Sequence, residues 1–71
     1  MPLKNRVKEL RAKHNLTQSD LAQKTNVTRQ TIAALEKGSY IPSLLLAMNI
    51  ASTFHLPIEE IFFFEKEEEK K

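Results

Sequence analysis

Residues that start and stop helices recur at short intervals along this chain. Thr17, Thr28 and Ser43 each precede a segment whose apolar residues recur every three or four positions, and Thr and Ser are favoured helix N-caps. Asn26 and Gly38 follow such segments, and both residue types accept the left-handed backbone conformation that ends a helix. No segment between these signals exceeds about three helical turns. The chain is therefore predicted to form one all-α domain of short helices.

Five helices are predicted between these signals. The first has Asn5 as its N-cap and ends near residue 14, and the others cover about residues 18–25, 29–37, 44–54 and 58–61. The run Phe62-Phe63-Phe64 favours an extended backbone, and Met1 to Lys4 is the other non-helical segment of similar length. We therefore expect the two ends to pair as a two-stranded ribbon. The domain should cover residues 1–64, and residues 65–71 should form a flexible charged tail.

The composition excludes several classes of site. The 71 residues include no cysteine, which rules out disulfides and thiolate metal sites. They include one glycine, which rules out a glycine-rich phosphate loop. His14 and His55 are isolated, and the pair Glu59-Glu60 has no nucleophile or metal partner beside it in the sequence. We expect no metal, no cofactor and no enzyme activity.

Sequence signals for membranes and for further domains are also missing. The longest apolar run, around Leu44 to Met48, is too short to cross a bilayer. The N-terminus lacks the hydrophobic region of a signal peptide. We therefore expect a cytoplasmic protein that contacts no membrane and has no second domain to bind a small-molecule effector.

Charge is distributed unevenly between the two parts of the chain. Residues 1–40 carry eight Lys or Arg and three Asp or Glu, a net charge of +5, whereas residues 41–71 carry three Lys and six Glu, a net charge of −3. A basic first half predicts a surface that faces a polyanion. Charge alone fits an ordinary solvated surface equally well, since asymmetry of this size is common.

The second and third predicted helices, residues 18–37, carry the functional signal. An eight-residue helix, a three-residue turn with an apolar plug at Val27, and a nine-residue helix match the arrangement that presents its second helix to the DNA major groove. Arg29 and Gln30 begin that second helix. Arginine pairs with O6 and N7 of guanine, and glutamine pairs with N6 and N7 of adenine. Thr28 and Thr31 can meet a thymine methyl group or a phosphate. The alternative is a solvated polar face, but the surrounding apolar positions leave Arg29 and Gln30 pointing outward.

Several stretches resemble the Cro/cI-type (Xre-like) helix-turn-helix family of phage repressors. Those in the central unit are Gln18-Ser19-Asp20-Leu21-Ala22-Gln23-Lys24, Arg29-Gln30-Thr31-Ile32 and Leu35-Glu36-Lys37-Gly38. Later stretches are similar to a subgroup of very short prokaryotic regulators: Tyr40-Ile41-Pro42-Ser43-Leu44, Ile50-Ala51 and Ile58-Glu59-Glu60-Ile61-Phe62. The resemblance covers about residues 3–64 and implies a phage-repressor-like fold and a DNA-binding transcriptional regulator.

The resemblance also implies which residues meet DNA. They are Gln18, Thr28, Arg29, Gln30, Thr31, Ala34, Lys37, Ser39 and Tyr40. Gln18 matches a phosphate anchor, residues 28–31 match positions that meet base edges and nearby phosphates, and residues 37–40 match a loop that grips the backbone. Ala34 stands where many family members have a base-reading Gln or Asn, so this contact is absent or apolar here. Arg11 and Glu36 match a pair that forms an internal salt bridge.

More apolar surface is present than a domain of this size can bury. The fourth helix is apolar on most of its sides, and Leu45 stands where relatives of this family typically have a charged residue. A patch too large for a monomer to expose is predicted from Leu45, Met48, Ile58, Ile61 and Phe63. A two-fold homodimer would cover it and would place two recognition helices about 34 Å apart, one turn of DNA. We therefore expect a repressor that binds a pseudo-palindromic double-stranded operator as a homodimer.

A second interpretation uses the same apolar patch differently. The chain could be an antitoxin or anti-regulator that acts mainly through a protein partner, with DNA binding secondary. A stoichiometric partner that co-purifies with the protein would favour this interpretation over the operator-binding one.

Overall fold

Four α-helices, one turn of 3-10 helix and two short strands make up residues 3–65, the part of the chain that the computed structural model describes. In chain order they are β1 (Leu3–Asn5), α1 (Val7–Lys13), α2 (Gln18–Thr25), α3 (Arg29–Lys37), α4 (Leu44–Phe54), the 3-10 turn (Ile58–Glu60) and β2 (Phe62–Phe64). From Lys66 onward, the predicted charged tail lies outside the described residues. Within those residues, no helix is both long enough and apolar enough to cross a bilayer.

The helix-turn-helix unit has the boundaries and caps predicted from the sequence. The Thr17 hydroxyl accepts a hydrogen bond from the Asp20 backbone N–H over 3.0 Å, and the Asp20 carboxylate accepts one from the Thr17 N–H over 2.9 Å. This reciprocal capping box fixes the start of α2. Asn26 ends α2 with a φ of 63° and Gly38 ends α3 with a φ of 85°, both in the left-handed region.

A two-stranded antiparallel ribbon joins the two ends of the described chain, as predicted. Leu3 pairs with Phe64, and Asn5 pairs with Phe62. The Asn5 side chain ties this ribbon to the helix-turn-helix unit, because its Nδ2 donates a hydrogen bond to the backbone carbonyl of Leu35 in α3 over 2.9 Å. The ribbon therefore holds a fixed position beside the end of α3.

Four α-helices form in the described residues instead of the predicted five, and the first begins one residue later than predicted. The segment after Pro57 forms a single 3-10 turn with hydrogen bonds between residues three apart, because proline limits it on one side and β2 begins only two residues after it. Helix α1 begins at Val7 with Arg6 as its N-cap, and Asn5 belongs to β1. Pairing with β2 draws Asn5 into the strand, although its carboxamide oxygen still accepts a hydrogen bond from the Val7 N–H.

The core lies between α1, α2, α3, α4 and the segment that precedes β2. Its fully buried large side chains are Val7, Leu21, Ile32, Leu35, Ile50 and Ile61. Ile61 was predicted to lie in a dimer interface, but it has no exposed surface and packs inside the single chain. The reason is that the 3-10 turn directs it inward, next to the ribbon, so it offers a partner no contact area.

Helix α4 buries one face and exposes another. Leu46, Ala47, Ile50, Ala51 and Phe54 face the core, whereas Leu44, Leu45 and Met48 are exposed. A single chain therefore leaves part of the apolar surface of this helix uncovered.

Candidate nucleic-acid interface

The first residues of α3 form an exposed polar surface. Thr28, Arg29 and Gln30 are exposed and Thr31 is half-buried. Ile32 and Leu35 are fully buried on the opposite side of the same helix, so they fix which side of α3 faces outward. The polar side chains at the N-terminal end of α3 are thereby displayed together.

Thr28 also has a local structural role. Its hydroxyl accepts the Thr31 backbone N–H over 3.2 Å and lies 3.0 Å from the Thr31 hydroxyl. Capping thus occupies part of the hydrogen-bonding capacity of both threonines. A ligand can therefore contact their methyl groups and the hydrogen-bonding sites of the hydroxyls that capping leaves unused.

Gln18 links the start of α2 to both ends of α3. Its Oε1 accepts a hydrogen bond from Nη1 of Arg29 over 2.9 Å, and its Nε2 donates to Oε1 of Glu36 over 3.1 Å. One N–H of the amide remains for another acceptor. The sequence stretches predicted to contact DNA at Gln18 and Arg29 are therefore brought together by the fold.

The salt bridge between Arg11 and Glu36 lies behind this surface, as the family resemblance predicted. Nε and Nη2 of Arg11 donate to the two Glu36 oxygens over 2.8 and 3.2 Å, and Nη1 donates to the Leu16 carbonyl over 3.0 Å. The Glu36 side chain is 4% exposed and that of Arg11 is 16% exposed. Hydrogen bonding to the carboxylate raises the pKa of Arg11 above its ordinary value. This pair ties α1 and the α1–α2 connection to α3.

The loop after α3 carries three of the predicted contact residues. Lys37, Ser39 and Tyr40 are all exposed. The Ser39 hydroxyl donates to the Ala34 carbonyl over 3.3 Å, so it reinforces the helix end. Tyr40 lines a cavity of about 180 Å³ beside the ribbon. Ala34, the remaining predicted contact, is half-buried on α3.

The exposed apolar surface is larger than the sequence interpretation stated. Leu45 is 70% exposed, Met48 53% and Phe63 40%, while Ile58 is half-buried. Sequence reasoning missed other exposed apolar side chains, namely Ile41, Leu44 and Phe64. The signal for Leu44 was available, because it and Met48 are four residues apart on the side of α4 away from Ile50.

Comparison with known proteins places these features in context. A family model described as helix-turn-helix matches residues 7–61. The chain is 58% identical over 66 residues to an uncharacterised HTH-type transcriptional regulator of Methanocaldococcus jannaschii, a match that covers 93% of this chain and 100% of the relative. It is 51% identical over 65 residues to the uncharacterised HTH-type transcriptional regulator YgzD of Bacillus subtilis, covering 92% of this chain and 98% of that relative.

Two further likenesses involve proteins with a stated role. The immunity repressor protein of Bacillus phage phi105 is 33% identical over 61 residues, which are 86% of this chain and 42% of the repressor. The fold is similar to the crystal structure of the restriction-modification controller protein C.AhdI from Aeromonas hydrophila, with a TM-score of 0.72 and 27% sequence identity. That structural match covers 78% of this chain and 83% of the controller protein.

Proposed function

Because the chain belongs to the Cro/cI-type (Xre-like) helix-turn-helix family of transcriptional regulators, we propose that it is a repressor that binds a pseudo-palindromic operator as a homodimer. The observation that carries this proposal is the exposed N-terminal end of α3, where Arg29 and Gln30 stand side by side above a fully buried apolar face. A helix presented in this way fits the major groove.

Base reading is assigned to the start of α3. Arg29 is proposed to donate to O6 and N7 of a guanine, and Gln30 to pair with N6 and N7 of an adenine. Thr28 and Thr31 contribute methyl contacts to thymine or hydroxyl contacts to phosphates. Ala34, one helical turn further on, contributes an apolar contact where a longer side chain would make a polar one.

Phosphate contacts are assigned around this surface. Gln18 has one free amide N–H at the start of α2, and Lys37, Ser39 and Tyr40 lie exposed at the other end of α3. Contacts from two sides of the recognition helix would fix its register on the duplex without reading sequence. They would also make the affinity fall steeply with salt, because each neutralised phosphate releases counterions.

The dimer is proposed to form through exposed apolar side chains of α4 and its neighbours. Leu45, Met48, Ile58 and Phe63 remain from the original interface prediction, whereas the fully buried Ile61 does not. Covering such side chains on association is favourable, at about 25 cal/mol per Å² of apolar surface. A two-fold arrangement would present two copies of α3 to successive major grooves, about 34 Å apart.

Repression is proposed to act by occlusion in the cytoplasm. A dimer seated on its operator blocks access to the same DNA, and a relative of this chain is a phage immunity repressor. Release is proposed to depend on a partner protein, temperature, pH or changing protein concentration.

Selection of bound sequences from random duplex DNA, combined with the protein's mass in solution, tests this function. We expect an inverted repeat recovered by a species of roughly twice the 8.2 kDa chain mass. A folded protein that enriches no sequence would overturn the proposal. It would favour the second candidate, an antitoxin or anti-regulator whose exposed Leu44, Leu45 and Met48 engage a different protein.

A further inference from the structure

The amide of Gln18 lies between two groups of opposite charge. Its Nε2 is 3.1 Å from Oε1 of Glu36, and its Oε1 is 2.9 Å from Nη1 of Arg29. A carboxylate can only accept hydrogen bonds and a guanidinium can only donate them. Rotating the amide by about 180° would place its oxygen against the Glu36 carboxylate and its N–H groups against those of Arg29. The two neighbours therefore hold the Gln18 amide in one orientation.

Glu36 is the fixed end of this series of hydrogen bonds. Its side chain is 4% exposed and receives two further bonds from Arg11, which is itself anchored to the Leu16 carbonyl. A carboxylate held by three donors in a position this buried cannot swing toward solvent without losing all of them. Its position is set by α1 and by the α1–α2 connection as well as by α3.

We propose that Glu36 and Gln18 are positioning residues that determine how strictly Arg29 selects guanine, an inference that rests on the proposed DNA-binding function. The bond to Gln18 occupies one of the five guanidinium N–H donors and restrains the side chain before DNA arrives. A restrained fork loses less rotamer entropy on pairing with O6 and N7 of guanine. An unrestrained arginine reaches neighbouring bases and phosphates as well, and its discrimination falls.

The orientation of the amide also restricts which residue can replace Arg29. Gln18 presents an oxygen to position 29, so the residue there must donate a hydrogen bond. Arg29→Gln keeps a donor and should keep the link to Gln18. Arg29→Glu has the same length as glutamine but presents only acceptors, so it should lose this link.

The variant Gln18→Met tests the proposal, because it keeps the length of the side chain, removes both hydrogen bonds and leaves the Arg11–Glu36 pair intact. The measured quantity is the affinity for the selected operator divided by that for the operator with the guanine opposite Arg29 replaced. We expect this ratio to fall by about fivefold or more. A lost phosphate contact at Gln18 would weaken both duplexes alike and would leave the ratio unchanged.

The control repeats Gln18→Met in an Arg29→Ala background, where we expect no further change in the ratio. A ratio equal to that of the wild type in Gln18→Met, or an equal fall with and without Arg29, would overturn the proposal. Glu36→Gln is the matching test at the other end of the link and should lower the same ratio. Its folding is checked by circular dichroism, because it removes the charge that Arg11 neutralises.

A measurement on the free protein separates this inference from the function it rests on. NMR of the Arg29 guanidinium should show hindered rotation of the Nη groups in the wild type and averaged signals in Gln18→Met. Averaged signals in both proteins would contradict a positioning role, whether or not DNA binds. Hindered signals in a protein that selects no DNA would confirm that Gln18 restrains Arg29, and would refute both the proposed function and the guanine selection that depends on it.

Discussion

Helices α3 and α4 start and end in the same way and differ in what they expose. Each begins with a Ser or Thr N-cap and ends at a residue in the left-handed conformation. The outward side of α3 is polar, and the exposed Arg29 on it is tied by a hydrogen bond to Gln18 in α2. The outward side of α4 is apolar, with Leu44 71% exposed and Leu45 70% exposed.

The two helices are therefore prepared for different kinds of ligand. Polar side chains on α3 are stable in water and already ordered by their neighbours, so they suit a charged ligand that must be recognised by geometry. Apolar side chains on α4 gain most of their stabilisation only when water is excluded from them. Helix α3 is therefore suited to a charged ligand and helix α4 to an apolar partner surface.

The largest expected effect is the difference in stability between substitutions on the two sides of α4. Ile50→Ala should lower the free energy of unfolding by about 2–5 kcal/mol, because it leaves a cavity in the core. Leu45→Ala should change the stability of the monomer by less than about 0.5 kcal/mol. Urea unfolding at low protein concentration measures both values, and equal losses would contradict the assignment of the two side chains to opposite sides of α4.

The next effect tests whether the outward side of α4 is the dimer surface. Leu45→Lys should convert the proposed dimer to a monomer. It should weaken operator binding by about a hundredfold, because the two half-sites are then no longer bound by one linked dimer. Sedimentation velocity and operator titration measure the two changes. Lys24→Ala, on an exposed part of α2, is a matched surface control. A Leu45→Lys protein that remains dimeric would place the interface elsewhere.

Two substitutions within the proposed DNA-facing surface should have a smaller effect. Arg29→Ala should cost roughly 1–3 kcal/mol on the operator and relax the preference at one base pair. Lys37→Ala should weaken binding to operator and random duplex alike, and should reduce the slope of log affinity against log salt by about one. Titrations on both duplexes at several salt concentrations distinguish them. Equal losses on both duplexes for Arg29→Ala would remove its base-reading role.

The smallest effect concerns the cap that holds α2 beneath α3. Hydrogen bonds from Thr17 hold the pKa of Asp20 below its ordinary value, so the folded state binds this proton less readily than the unfolded state does. The stabilisation is present above the ordinary pKa of about 4 and is lost as pH falls through the lowered value. Thermal unfolding of the wild type and Asp20→Asn should therefore differ at neutral pH and converge in acid. Parallel curves at every pH would exclude this role of Asp20.

Local signals in the sequence predicted the helical boundaries of the central unit. Caps act on the backbone within a few residues, so Thr17, Asn26 and Gly38 could be interpreted without knowing the fold. The exact start of α1 could not, because Asn5 has the residue type of an N-cap but is drawn into β1 by a strand that begins at Phe62. Pairing across such a separation depends on how the helices pack between the two segments.

The same distinction applies to the candidate site. Arg29 and Gln30 could be predicted to face outward, because Ile32 and Leu35 define the inward side of one helix. The link from Gln18 to Glu36 could not be predicted from spacing, since it crosses between helices and depends on their exact approach. The DNA contacts themselves remain predictions that the experiments above test.

The ribbon has a consequence for the order in which the chain folds. Contacts of α2 with α3 join neighbours in sequence, whereas Leu3 and Phe64 meet only after nearly all of the described chain has closed into a loop. Loop-closure entropy rises with loop length, and non-local contacts slow folding. We expect the helical unit to assemble first and the ribbon to close late. Substitutions in β1 should accordingly speed unfolding while leaving the refolding rate nearly unchanged.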